Sequence, residues 1–438
     1  MNEDFHELPR LDRAHVWHPY TPHSAVEAGL PVIVAGEGPW LVDSEGRRWF
    51  DAIASWWSCA LGHRHPEVIA AIEAQLGRLD HCILGHLTHP AAVRLAESLA
   101  RHSLDGRVHV LFASDGASAV EAAIKIALQY HAQRGQARRR WWVALDGAYH
   151  GDTLAAVGLG FLEQFHWPFQ HMCPPAIRLP VPRELDEVES CMRAAEQRLA
   201  AHRGDVAGII VEPMCQGAAG MRIYPAEYLA ALFRWSREEG CLFVADEIAT
   251  GFGRTGRWWA FEHAGIAPDI LCAGKALSAG TLPISATIVR DEIYESFSDH
   301  PEDHTFYHGH TFAGNPLAAV AGVAAIQVYE REHLPERAAA LGNTVQELLR
   351  PLRNHPAVRS VRGLGLIAAV ELHSPEAART VRQRLWSERI LVRPLGPVVY
   401  LMPPLNIEDA LLQWAVERLR TAILDLSEHG AAQTPLRS

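Results

Sequence analysis

The chain has no run approaching the eighteen or so apolar residues of a membrane span, and its first ten residues, MNEDFHELPR, are acidic with no apolar centre. No membrane anchor or leader is expected. Nor is there an excess of positive charge: 40 Lys and Arg stand against 51 Asp and Glu, a net charge of −11, which argues against nucleic acid or an anionic membrane as partner. Histidine is plentiful, at 25 residues, but no HExxH or CxxC…HxxxH arrangement occurs, so no metal site is expected. The seven cysteines (Cys59, Cys82, Cys173, Cys191, Cys215, Cys241 and Cys272) are scattered and odd in number, which fits buried free thiols in a reducing, cytoplasmic setting. There is no GxxxxGKS or GxxxxGKT, and the glycines of RGLGL near Gly363 form no GxGxxG that opens a helix, so nucleoside triphosphate and dinucleotide signals are absent or weak.

What is present is a long alternation of strands and helices. The 438 residues, 48% hydrophobic, suffice for a large domain with a smaller one attached. Pro31 to Asp51 reads as β-hairpins, and PEVIAAIEAQLGRL and PAAVRLAESLAR as two helices. Strands at Val108 to Ala113, Trp141 to Leu145, Val206 to Val211 and Cys241 to Ala245 then alternate with helices at Ala117 to Gln133 and Pro225 to Glu239. This order predicts an α/β fold with a mainly parallel sheet covered on both faces. HMCPPAIRLPVP reads as a surface loop, and PLAAVAGVAAIQVYERE as a long helix leading out of the large domain. Beyond it come a helix through Leu341 to Leu352, VRGLGLIAAVEL as a strand and ILVRPLGPVVYLMPP as a strand pair, while the closing HGAAQTPLRS is expected to fray. The expected division is 63–328 as the large domain, with 1–62 and 329–438 together forming the small one.

The stretch Cys241 to Gly280 carries the most chemistry. Its apolar run to Ala245 presents Asp246 and Glu247 at the carboxyl end of a strand, and the run Asp269 to Ala273 ends in Gly274 and Lys275, twenty-nine residues after the aspartate. Open α/β sheets hold their ligands at that edge. A carboxylate there can pair with a protonated pyridine nitrogen and a lysine can form a Schiff base, which together suit pyridoxal phosphate. Singly, the aspartate is as well a helix cap and the lysine a loop cation. With the intervening TGFGRTG, whose Arg254 adds a fixed charge, the pair is far more specific.

Four further segments fit the same chemistry. ASDGASAVEAAIKIALQY follows a strand and opens a helix at Ala117 or Ser118, either a phosphate cradle of backbone amides or a plain cap by Asp115 or Ser118. DGAYHGDT offers Tyr149 to stack on a planar ring, His150 beside it and Asp152 to orient polar groups; alone, Tyr149 is a loop aromatic. IIVEPMCQGAAG puts Glu212 at a strand end, as a site residue or an ion-pairing one. YHGHTFAGNP supplies Thr311, which either reaches a phosphate or is satisfied within its own loop.

In order along the chain, GAYHGDT, VEPMCQG, ADEIATGFGRTG, APDILCAGKALSAG and HTFAGNP resemble the class III aminotransferases, pyridoxal-phosphate enzymes of fold type I. The resemblance implies a homodimer with its site at the subunit interface, two half-reactions in ping-pong order, Lys275 as Schiff-base lysine and proton shuttle, and Asp246 on the pyridine nitrogen. Tyr149 would stack on the ring with His150 and Glu212 beside it, while Gly116, Ala117, His310 and the partner's Thr311 would surround the phosphate. HVWHPYT at His15 to Thr21, ASWWSCALGHRHP at Ala54 to Pro66 and VRPLGPVVYLMPP at Val392 to Pro404 are similar to the branch of that family that aminates 8-amino-7-oxononanoate with S-adenosylmethionine in biotin biosynthesis. There Tyr20, counted also as catalytic, would line an aromatic slot with Trp56 and Trp57, near Asp152 and Gly309, and Arg393 would hold the substrate carboxylate at its far end. Neighbouring tryptophans on a strand point apart, so at least one is equally a core residue, and Arg393 is equally a surface ion pair.

Rival readings are another class III enzyme acting on 4-aminobutyrate, ornithine, a diamine or an acyl-ornithine, lysine in place of S-adenosylmethionine as donor, a nicotinamide dehydrogenase, and a non-catalytic binding protein. The chain also departs from the family: Ala117 stands where a serine or threonine is usual, leaving Ser118 or backbone amides to substitute, and His310 stands in place of a proline.

Overall fold

The structure, a computed structural model, describes residues 5–104, 106–299 and 301–426. Its centre is a seven-stranded sheet: β1 (Val108–Ala113), β2 (Trp141–Leu145), β3 (Ala176–Leu179), β4 (Val206–Val211), β5 (Leu242–Asp246), β6 (Ile270–Ala273) and β7 (Ser285–Arg290). They lie side by side in the order β1-β7-β6-β5-β4-β2-β3. All are parallel except β7, which runs antiparallel to both neighbours. Every residue of β4, β5 and β6 is buried, because helices cover both faces, and this is why these strands read as unbroken apolar runs rather than alternating ones.

The helix Gly116–Gln133 packs against β6 and β7, and the Ala-rich helix Pro316–Arg331 packs against Pro66–Leu76 and Pro90–His102. Asp115 caps the first, accepting from Ser118 N at 2.9 Å. Asn315 caps the second, accepting from Leu317 N and Ala318 N at 3.0 and 3.2 Å. Three antiparallel strands, Ile33–Glu37, Trp40–Asp43 and Arg48–Asp51, are joined in parallel by Ile390–Leu391, so the early and late parts of the chain share one sheet. Val358–Leu364, Ile367–Leu372 and Val398–Leu401 form a separate antiparallel sheet.

Several expected elements differ. HMCPPAIRLPVP is not all loop: β3 lies within it, masked in the sequence by flanking prolines. β7 has no counterpart in the sequence reading. VRGLGLIAAVEL is a hairpin rather than one strand, reversing at Gly365 (φ +54), where a Cβ would meet Arg254 O at 2.4 Å. No helix follows those glycines, which removes the structural context of a dinucleotide site. Ile390–Leu391 and Val398–Leu401 belong to different sheets and so are not a strand pair. The helix placed at Leu341 to Leu352 starts earlier and spans Leu334–Leu349. The closing HGAAQTPLRS lies outside the described residues. All seven cysteines are free, with Cys82, Cys173 and Cys191 only partly buried. Among the described residues no helix is long and apolar enough to cross a membrane.

Gly342, on the helix Leu334–Leu349, lies so close to the turn of the hairpin that a Cβ would come within 2.2 Å of Gly365 O. Gly342→Ala is therefore expected to cost about 1–3 kcal/mol through overpacking. A urea midpoint unchanged from the parent chain would contradict this contact.

Candidate active site

The parallel strands bring their carboxyl ends to one rim. There Trp57, Gly116, Ala117, Tyr149, His150, Asp152, Glu212, Asp246 and Lys275 line a cavity of about 440 Å3. At its floor the Asp246 carboxylate is 5% exposed, with Oδ2 at 2.7 Å from His150 Nδ1 and Oδ1 accepting from Ile248 N at 3.2 Å. Lys275 leaves β6 at φ +45, a conformation that a non-glycine residue adopts only where its surroundings hold it. Its ammonium nitrogen lies 5.2 Å from the centre of the Trp57 ring. Burial lowers the Lys275 pKa, which favours the neutral amine that a nucleophile or proton carrier needs.

Glu212 uses both oxygens on backbone, accepting from Tyr149 N and Gly217 N at 2.9 Å each. Burial pushes its pKa up to about 7. It thus fixes Tyr149 over the cavity and ties β4 to the turn after β2. Glu247, beside Asp246 in sequence, faces the other way: it accepts from Thr250 Oγ1 at 2.6 Å and Phe261 N at 2.9 Å, and burial raises its pKa to about 8. Of the two adjacent carboxylates, only Asp246 faces the cavity.

At the phosphate turn the Ser118 hydroxyl is already engaged, donating to Asp115 Oδ2 at 2.9 Å. It does not replace the hydroxyl missing at position 117. Gly151, at φ +121, packs so closely on Ala117 that a Cβ would lie 2.4 Å from the alanine Cβ. The opening left to an anion is the amide end of the helix at Gly116 and Ala117.

Tyr20, Trp56 and Arg393 form a second group at the mouth. The Arg393 guanidinium lies 4.8 Å from the Trp56 ring centre and 5.4 Å from that of Tyr20, and among the described residues it pairs with no carboxylate. Tyr20 donates to Asp152 Oδ1 at 2.6 Å, which links this group to the cavity; burial and this bond raise the phenol pKa to about 12. Trp56 is 38% exposed and Trp57 9%, the latter donating from Nε1 to Tyr400 OH at 3.2 Å. The pair therefore points apart as expected, but the backbone is not a strand: Ala54, Ser55, Trp56 and Trp57 all have positive φ, 45, 44, 61 and 71°, forming a left-handed turn.

Not every expected residue reaches the cavity. Gly309, His310 and Thr311 lie on a largely exposed segment beside the helix Gly116–Gln133, where His308 Nδ1 is 3.3 Å from Lys125 Nζ. Within one chain they do not line it. Arg254 is not a charge at the site: it is 2% exposed, donates to Leu366 O at 3.3 Å and Pro403 O at 2.6 Å, and burial lowers its pKa to about 10. Phe165, edge-on to Tyr20 at 5.8 Å, and Tyr400 were not assigned from sequence. Phe165 sits in an aperiodic stretch without a readable signal. Tyr400 lies in the VVYLMPP run, whose unbroken apolar character marks a strand buried on both faces and so flags every residue in it as interior.

The residues fit the cofactor the sequence suggested: a half-buried lysine, a buried carboxylate with a histidine behind it, and a helix amide end open to a phosphate, around one cavity. Fold and site define a pyridoxal-phosphate enzyme of fold type I. Residues 23–423 match the family described as aminotransferase class III, and the chain belongs to that family. It is 37% identical, over 97% of its length and 83% of the relative's, to the adenosylmethionine-8-amino-7-oxononanoate aminotransferase of Nitratidesulfovibrio vulgaris. The crystal structure of the enzyme of the same name from Methanocaldococcus jannaschii superposes with a TM-score of 0.91 at 33% identity, covering 96% of this chain and 99% of that one. An omega transaminase from Pseudomonas jessenii in complex with PMP gives 0.91 at 28% identity, covering 97% and 100%.

Replacing His150 by Phe leaves Asp246 with only the Ile248 amide as donor. Loss of a hydrogen bond to a charged group is worth about 1.5–3 kcal/mol, so pyridoxal phosphate is expected to bind roughly 10- to 100-fold more weakly. Titration of the apoenzyme followed by cofactor absorbance would measure it, and an unchanged affinity would show that His150 does not support Asp246.

Proposed function

We propose that the chain transfers an amino group to the ketone of 8-amino-7-oxononanoate, forming 7,8-diaminononanoate for biotin biosynthesis, with S-adenosylmethionine as donor. The observation that carries this reading is Arg393: a guanidinium held against two aromatic rings, without a carboxylate of its own among the described residues, at the mouth of the lysine cavity. A substrate with a carboxylate at the far end of an apolar chain needs a cation at the end of an apolar slot. The names carried by the relatives favour the same substrate and donor.

Pyridoxal phosphate, when bound, supplies the carbonyl that carries the amino group and the electron sink for proton transfer. The chain's own residues do the rest. Lys275, whose burial favours the neutral amine, takes a proton from one carbon and returns it to another. Asp246, backed by His150, keeps a proton on the ring nitrogen through a charge-assisted hydrogen bond. Gly116 and Ala117 present backbone N–H groups to the phosphate. Tyr149, held by Glu212, covers the ring face, and Asp152 with Tyr20 orients the incoming amine. Trp57 closes the cavity over Lys275 and helps exclude water.

The exposed segment bearing Gly309, His310 and Thr311 supports a homodimer in which the partner's Thr311 completes the phosphate contacts. Residues 63–328 then act as the cofactor-binding domain, with 1–62 and 329–438 as parts of the small domain. A cytoplasmic setting accords with seven free thiols.

Purified enzyme is expected to aminate 8-amino-7-oxononanoate with S-adenosylmethionine and to be poor with 4-aminobutyrate or ornithine; the reverse preference would sink this assignment, and activity with lysine alone would change the donor. Arg393→Ala is expected to lower kcat/KM for the amino-oxo acid by about 30- to 5,000-fold, the range for truncating one partner of a desolvated charge pair. It should spare an acceptor ketone that lacks the carboxylate, and equal losses on both acceptors would remove Arg393 from substrate recognition.

A further inference from the structure

A second cavity, of about 600 Å3, opens between the short hairpin Cys215–Gln216 and Arg222–Ile223 and the three-stranded sheet of Val358–Leu364, Ile367–Leu372 and Val398–Leu401. Its lining carries Arg183, Arg222, Arg353, Arg359 and Arg362. In a chain of net charge −11 this is a local reversal of sign. The carboxylates available do not balance it. Glu371 is shared by Arg362, at 2.7 Å, and Arg359, at 3.6 Å, while Glu184 is taken up in capping the turn Leu185–Glu187. Among the described residues Arg183, Arg222 and Arg353 have no carboxylate within ion-pair distance.

Arg222 shows the consequence most directly. It is half-buried, donates to the neutral oxygens Asp146 O at 3.1 Å and Gln216 Oε1 at 3.4 Å, and has its pKa lowered by burial and by the neighbouring Arg183 and Arg362, against a smaller opposing pull from Asp146 and Glu371. A cation in that position is under-compensated. A neutral donor stands in the same wall. Gln346 Nε2 is buried without a hydrogen-bond partner, in space that exists because residue 363 is glycine; a Cβ there would lie 1.8 Å from that nitrogen. Glycine at position 363 thus lets the Gln346 side chain form part of the wall.

We propose that this cleft binds a compact small-molecule polyanion, one bearing phosphate groups or several carboxylates, with Arg183, Arg222 and Arg353 supplying the charge. Guanidinium groups suit both chemistries, since their forked donors match two oxygens of either group. The cavity is too small for a macromolecule to enter and large enough for a ligand of the size of pyrophosphate or citrate.

Calorimetric titration of the holoenzyme at low ionic strength, once with pyrophosphate and once with citrate, tests this. Saturable binding of at least one of them, at one site per chain, is expected, and the tighter of the two names the chemistry. In Arg183→Gln/Arg353→Gln, where both changes are on exposed side chains outside the reaction machinery, affinity should fall at least tenfold while the transamination rate persists. Each single variant should give part of the loss. No binding of either anion, or binding of equal affinity in the double variant, which would place the anion at the phosphate turn or at Arg393, would overturn the proposal.

Discussion

Six strands running the same way put six carboxyl ends on one rim, and the rest of the molecule depends on that alignment. Side chains at the ends of successive strands converge there although tens of residues separate them in sequence: Asp246 ends β5, Lys275 follows β6, Glu212 follows β4 and Tyr149 follows β2. The strands are short, and β4, β5 and β6 are wholly buried, so their register is set by packing on both faces and the residues at their ends have little freedom. The one reversed strand, β7, lies between β1 and β6 and supports the phosphate turn from behind, its Ser285 Oγ donating to Asp115 O at 2.6 Å.

This architecture explains which parts were legible in the sequence. A strand-end residue with a glycine-rich turn after it is a local pattern, so Asp246, Lys275, Tyr149 and, to within a residue or two, the helix start could be read from short segments. β7 and β3 could not. β7 is antiparallel in a parallel setting and follows a loop without periodicity, and β3 is four residues between prolines. What each charge faces was equally hidden, because that is decided by tertiary packing. Asp246 and Glu247 are neighbours in sequence and point to opposite sides of the rim. The substrate-side group escaped local reading for a related reason. Tyr20, Trp56, Phe165 and Arg393 come from four separated stretches, and only the fold brings them together.

Buried ionisable groups here divide into those that meet the cavity and those that hold its walls. Glu212, Glu247 and Arg254 are each nearly or wholly inaccessible and each bonds mainly to backbone. Such groups are costly to bury, and the compensation is geometric: each fixes a loop that carries no regular secondary structure. Arg254 in particular joins the loop after β5 to Leu366 and Pro403 in the late part of the chain, adding directional bonds to the apolar core that runs through both parts.

The left-handed turn at Ala54 to Trp57 has a further meaning. Its backbone is held by Asp51, which accepts from Ser55 Oγ at 2.7 Å and Ile53 N at 3.3 Å and lies 3.0 Å from His63 Nε2, and none of these bonds involves a tryptophan side chain. The conformation at position 56 is thus imposed from outside, whatever residue occupies it. Selection could then alter the shape of the slot by exchanging that one exposed side chain, leaving the lysine cavity undisturbed. Reaction chemistry and substrate range would be free to evolve on separate schedules within a single fold.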